Sequence, residues 1–177
     1  AAVTAAGQIN LNEANAVTLA SVSTANGPIT ITTGGTTVIG SVSSATDADA
    51  NDISITAASG DIVVGTVNAG TTAGDVTLTA TAGAILDDAN DGATDISGDV
   101  VTLSAATGIG ASAGAGSLDT AANSITAAVT GAGQINLNEA NAVTLASVST
   151  ANGSITITTG GTTVIGDRKS TRLNSSH

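Results

Sequence analysis

Residues 29–42 read "ITITTGGTTVIGSV". Two apolar–hydroxyl stretches, Ile29-Thr30-Ile31-Thr32 and Val38-Ile39-Gly40-Ser41-Val42, flank the pair Gly34-Gly35. Alternation with a period of two describes a strand that buries one face and wets the other, and paired glycines mark a turn. The phrase recurs as Ile53-Ser54-Ile55-Thr56, Val76-Thr77-Leu78-Thr79, Val101-Thr102-Leu103-Ser104, Ile125-Thr126-Ala127-Ala128 and Ile155-Thr156-Ile157-Thr158. The spacing is nearly even from Ile29 to Ile125 and wider from Ile125 to Ile155. After each first strand comes a Gly- or Ala-rich turn, a second strand such as Ile62-Val63-Val64-Gly65-Thr66-Val67, and a loop rich in Asp, Asn and Ala.

A longer repeat encloses the short one. Residues 1–40 recur at 127–166, with only Ala5 against Gly131 and Pro28 against Ser154 differing. Near-identity over that length points to duplication within a tandem array. The offset between the copies, from Ile29 to Ile155, reads as five short units. The last and longest of these has room for an extra strand at Gln134-Ile135-Asn136-Leu137, with another from Ala142 to Val148.

Short units that cannot bury a face alone must stack. The expected fold is all-β, a parallel β-helix (β-solenoid) of about 25 residues per coil. Its hand is expected to be right, as parallel crossovers prefer. Ile29, Ile53, Val76, Val101, Ile125 and Ile155 are expected to form one inner ladder. Ile31, Ile55, Leu78, Leu103 and Ile157 form a second. Each such side chain contributes roughly 1.5–3 kcal/mol on burial. The rival is a β-sandwich, but sandwiches pack aromatics between unlike strands, and this chain has no Phe, Trp or Tyr.

Charge narrows the function classes. Every basic side chain, Arg168, Lys169, Arg172 and His177, falls in the segment 167–177. Without that tail the net charge moves from -11 to -13. Acids without bases cannot neutralise phosphates, so neither nucleic acid nor an anionic membrane surface is an expected partner. No run approaches the length of a membrane span, and no membrane insertion is expected. No Cys means no disulfide and no thiolate site. The chain does not begin with Met and is read as an internal piece of a longer protein.

The units "GDVTLTATAGAILDDANDG" (74–92) and "DISGDVVTLSAATGIG" (95–110) resemble repeats of filamentous-haemagglutinin-like bacterial adhesins, exported by two-partner secretion or as autotransporter passengers. The resemblance spans nearly all of residues 1–166. It implies a right-handed β-helix, an extracellular or cell-surface location, and a stalk or adhesive role. It further implies that the partners are neighbouring repeats of the same chain and host or environmental surface glycans or proteins. The family's secretion domain and anchor are not in this sequence. The tail, Asp-Arg-Lys-Ser-Thr-Arg-Leu-Asn-Ser-Ser-His at 167–177, resembles an in-frame translation of a common short-read sequencing adapter. It replaces the Ser-Val-Ser-Ser that follows the first copy at 41–44. It is therefore taken as a non-native, disordered tail. Its basic residues and the triplet Asn174-Ser175-Ser176 are set aside.

Candidate chemistry is sparse. Before the tail no His, Lys, Cys or Tyr can activate a Ser or Thr nucleophile. Paired carboxylates can hydrolyse glycosides, so a polysaccharide-binding or polysaccharide-cleaving β-helix stays as an alternative. The expectation is no enzyme and no cofactor. Two acidic runs carry calcium-type oxygen ligands: Asp47, Asp49 and Asp52, then Asp87, Asp88 and Asp91. Neither completes an EF-hand loop, since the first lacks Gly at position six and Glu at twelve and the second lacks an acid at position three. Both also read as solvated loops that keep the surface soluble. Finally, Thr30/Thr32, Ser54/Thr56, Thr77/Thr79, Thr102/Ser104 and Thr156/Thr158 would stack outward into a Thr-x-Thr ladder. Such a ladder resembles the ice-binding face of solenoid antifreeze proteins, although Thr is also simply a good residue for exposed strand positions.

Overall fold

A computed structural model of the chain describes residues 1–111 and 116–166. They form a parallel β-solenoid of about seven turns, averaging roughly 23 residues per turn. Among the described residues seventeen strands join in one continuous ladder, and every pairing is parallel. Among the described residues no helix is long and apolar enough to cross a membrane. The tail assignment at 167–177 lies outside the described residues.

The central coils have three sides. On the first side Ile9, Ile29, Ile53, Val76, Val101 and Ile125 pair in turn. On the second, Thr37 pairs with Ile62, Ile62 with Ile85, and Ile85 with Ile109. On the third, Val22 pairs with Val42, Val42 with Val67, and Val67 with Ile96. Period-two alternation puts these residues inward. Ile29, Ile53, Val76, Val101 and Ile125 are all fully buried. The second inner ladder, Ile31, Ile55, Leu78 and Leu103, is at most 1% exposed and ends on Ala127. An aliphatic column needs no aromatics, because each side chain packs on its counterpart one coil away rather than spanning a wide core.

The corners explain the glycines. A Cβ on Gly34 would collide with the carbonyl oxygen of Ala14, and one on Gly83 with that of Gly60. Corners of successive coils lie backbone on backbone, and only glycine fits there.

The upper ladder is a correction. Ile155 does not stack on Ile125, nor Ile157 on Leu103. Ile125 is covered by Leu145, which arrives earlier in the chain than a central coil would bring it. Ile155 covers Ile135, which itself covers Ile109 on the second side. The presumed extra strands, here Ile135–Glu139 and Val143–Asn152, belong to a coil of their own rather than to one long unit. Both copies of the duplicated segment keep the same short internal step, Ile9 under Ile29 and Ile135 under Ile155. The intervening coils on the first side take longer steps, from Ile29 to Ile53, to Val76, to Val101 and to Ile125. The offset between the copies is therefore not a whole number of turns, and the second copy sits one side further round than the first. Identical residues thus meet different neighbours. The segment Ile-Asn-Leu-Asn-Glu is mostly exposed at Ile9–Glu13 and mostly buried at Ile135–Glu139.

Candidate functional site

Most acids have a structural task. Asp often stands one residue before a strand: Asp52 before Ile53, Asp61 before Ile62, Asp75 before Val76 and Asp95 before Ile96. Each accepts an N–H from the coil above. Asp52 Oδ1 takes that of Asp75 at 3.1 Å, Asp61 Oδ1 that of Ala84 at 2.8 Å, and Asp75 Oδ1 that of Val100 at 3.0 Å. Burial, followed by the repulsion of Asp52, Asp99 and Asp49, raises the Asp75 carboxyl above its ordinary value, against the Val100 bond.

The first acidic run does not converge into a metal-ligand group. Asp47 instead accepts the backbone N–H groups of Thr71, Thr72, Ala73 and Gly74 at 2.8–3.1 Å. Those bonds, the one from Gly74 foremost, hold its carboxyl below the usual range. Asp49 is exposed. Glu139, fully buried, is likewise saturated: it accepts from Thr120 Oγ1, Ala122 N and Asn141 N at 2.8–3.0 Å.

The second run behaves differently. Asp87 ends the strand Ala84–Asp87, Asp88 follows it, and the chain loops out before returning at Asp95. Among the described residues this is the one place where three acids converge: Asp87, Asp88 and Asp95 bring carboxylate oxygens within 4.8 Å of one another. Asp91 stands outside that group, with its Oδ1 accepting the N–H of Ala93 at 2.7 Å. One coil further, Asp119 joins from the strand Leu118–Ala132. Its N–H donates to Asp95 Oδ2 at 2.9 Å, and its carbonyl accepts the N–H of Asp95 at 2.9 Å. Asp87, Asp95 and Asp119 are 7%, 3% and 4% exposed, whereas Asp88 faces solvent.

The electrostatics are unrelieved. Burial pushes the Asp95 carboxyl up to about 7, aided by the charges of Asp87, Asp119 and Asp88 and opposed by the Asp119 N–H. Burial also raises Asp119, against its bond from Asn138 Nδ2. Asp87 Oδ2 and Asp119 Oδ2 are buried and find no donor among the described residues, and the buried donor Asn136 Nδ2 finds no acceptor among them. Sequence reading picks out Asp87 and Asp88 but misses Asp95 and Asp119. The Asp-Ile step at 95–96 is a usable signal, because the same step heads other strands. Nothing local marks Asp119.

The hydroxyl ladder is in register over the central coils. Thr30 pairs with Ser54, Ser54 with Thr77 and Thr77 with Thr102; Thr32 pairs with Thr56, Thr56 with Thr79 and Thr79 with Ser104. It does not continue into Thr156/Thr158, which lie over Asn136 and Asn138 on another side.

No family model, curated protein or solved structure matches this chain.

Proposed function

We propose that the chain is a structural repeat segment of a large exported bacterial surface adhesin, a stalk or passenger rod without catalysis of its own. The observation that carries this reading is the unbroken ladder from Ala2 to Ile165, built from duplicated units. A stack of this kind lengthens by adding coils, each contacting only its neighbours. Seven turns at roughly 4.8 Å per turn extend on the order of 35 Å. The likeness of residues 74–110 to filamentous-haemagglutinin-like repeats supports an extracellular location. The absence of Lys and Arg before residue 168 suits exposure to trypsin-like proteases. On this reading the partners are neighbouring repeats and surface glycans or proteins. Immunogold labelling of intact producing cells with an antibody against residues 1–166 tests it. Label on filaments outside the envelope is expected; label only after permeabilisation would sink the proposal.

The in-register hydroxyl ladder favours one second reading, an ice-binding face. Hydroxyls recur roughly 6.7 Å apart along each strand and about 4.8 Å apart between coils. Thermal hysteresis of the purified chain tests it, and Thr56→Val with Thr79→Val should abolish the effect. Freezing-point behaviour no different from that of an inert protein removes this reading.

A further inference from the structure

Asp87, Asp88 and Asp95 form a group that no basic side chain among the described residues neutralises. Elsewhere the chain satisfies its carboxylates with hydrogen-bond donors, four at Asp47 and three at Glu139. Here two buried oxygens, Asp87 Oδ2 and Asp119 Oδ2, have no donor among the described residues. An unpaired buried carboxylate is costly, and it is normally retained only where a counter-charge or a metal meets it. Residues 1–166 carry no Lys, Arg or His side chain to serve as that counter-charge. The N-terminal amine is engaged elsewhere, donating to the Ser21 carbonyl at 2.7 Å. Among the described residues no basic side chain meets these carboxylates, and a cation from solution can take that place.

The ligand chemistry selects the cation. All donors are hard carboxylate oxygens, with no imidazole or thiolate, which favours calcium or magnesium over zinc or copper. Calcium accepts six to eight oxygens in irregular arrangements, whereas magnesium demands a near-ideal octahedron and sheds water reluctantly. Buried oxygens from two successive coils, with Asp88 open to solvent, offer an irregular anionic cup that water can complete. We propose that Asp87, Asp88 and Asp95, with Asp119 behind them, bind one calcium ion that ties the 88–95 loop to the next coil. This site is independent of the adhesin reading.

The full chain, stripped with EDTA and dialysed, is titrated with calcium chloride at physiological ionic strength. Calorimetry and the thermal midpoint report binding. The expected result is one saturable equivalent with half-saturation below about 1 mM, as in extracellular calcium modules, and a midpoint that rises with calcium. At calcium a hundredfold above Kd the folded-to-unfolded ratio rises about a hundredfold. Asp88→Asn, at the exposed ligand, should fold normally and bind about tenfold more weakly, since affinity follows ligand charge. Asp87→Asn should lose binding, and Asp49→Asn, outside the cluster, should bind as the parent does. Absence of saturable uptake below about 1 mM overturns the site. So does uptake unchanged in Asp88→Asn and Asp87→Asn, which would mean diffuse screening by the acidic surface. Equal affinity for magnesium overturns the assignment to calcium.

Discussion

The one-side shift of the second copy can be tested with paired cysteines, because the chain has none of its own. Ser124 is the partner of Thr144 in the ladder, and both are half-buried and outward. Had Ile155 stacked on Ile125, Ser124 would instead lie beneath Ser154. The double variant Ser124→Cys/Thr144→Cys places its Cα atoms about 4.8 Å apart. That falls inside the roughly 4.4–6.8 Å window for a disulfide. The alternative pair, Ser124→Cys/Ser154→Cys, sets its thiols on different sides. Neither pair removes core volume, so both variants should fold when reduced. Closing a loop of about 20 residues should stabilise the oxidised first variant by roughly 3 kcal/mol relative to its reduced form, on the chain-entropy account. Thiol counting after mild oxidation, with a denaturing gel to exclude cross-linked dimers, reads the outcome. Urea unfolding of oxidised against reduced protein then gives the stabilisation. Closure of the 124–154 pair with free thiols in the 124–144 pair would refute the register.

Further expectations rest on single contacts. Glu139→Ala orphans Thr120 Oγ1 and the N–H groups of Ala122 and Asn141. It should cost about 2–4 kcal/mol, part of the loss being offset because a buried carboxylate is removed. Glu13→Ala, the same residue in the first copy, loses only exposed bonds to Asn15 and should cost less than about 1 kcal/mol by urea titration. Gly83→Ala drives a methyl group into the Gly60 carbonyl and should cost roughly 3 kcal/mol or more, whereas Gly92→Ala, at φ 81° with open space around it, should cost only about 1–2 kcal/mol. Thermal midpoints of equal size for the two would contradict the corner geometry. In metal-free protein, Asp95 keeps its proton up to about pH 7 when folded but releases it near 3.8 when unfolded. The folded state then binds more protons between those values, so stability falls as pH rises from about 4 to 7 and levels off above. Allowing for solvent screening, the loss is on the order of 2–4 kcal/mol. Asp87, Asp88 and Asp119 are the charges that face it. A urea midpoint that rises over that window, or a slope unchanged in Asp95→Asn, would contradict the assignment.

Much of this protein is decided within the length of one strand. Ile-Thr-Ile-Thr, Val-Thr-Leu-Thr and their relatives declare which side chain goes in and which goes out, because a strand has a period of two whatever it pairs with. The pair Gly34-Gly35 marks a turn locally, although what excludes a side chain from Gly34 is the backbone of the neighbouring coil. The inner ladder from Ile29 to Ile125 and the absence of aromatics can therefore be read directly from the sequence, and with them the solenoid.

The pairing of coils is a different kind of quantity. It depends on how much chain each loop spends between sides, and that length varies from coil to coil. The near-identity of 1–40 and 127–166 suggests that equal sequence means equal position. The short step inside each copy and the longer steps between them rotate the second copy onto a new side. Glu13 lies in the first coil, paired only with Thr33, whereas Glu139 lies between Thr120 and Thr159, so the two share a local sequence but not an environment. The carboxylate cluster has the same origin. Asp87 and Asp88 are neighbours in sequence, but Asp95 reaches them only because a loop closes, and Asp119 only because another coil stacks on Asp95. Which acids meet was settled by stacking, over distances that no local pattern encodes.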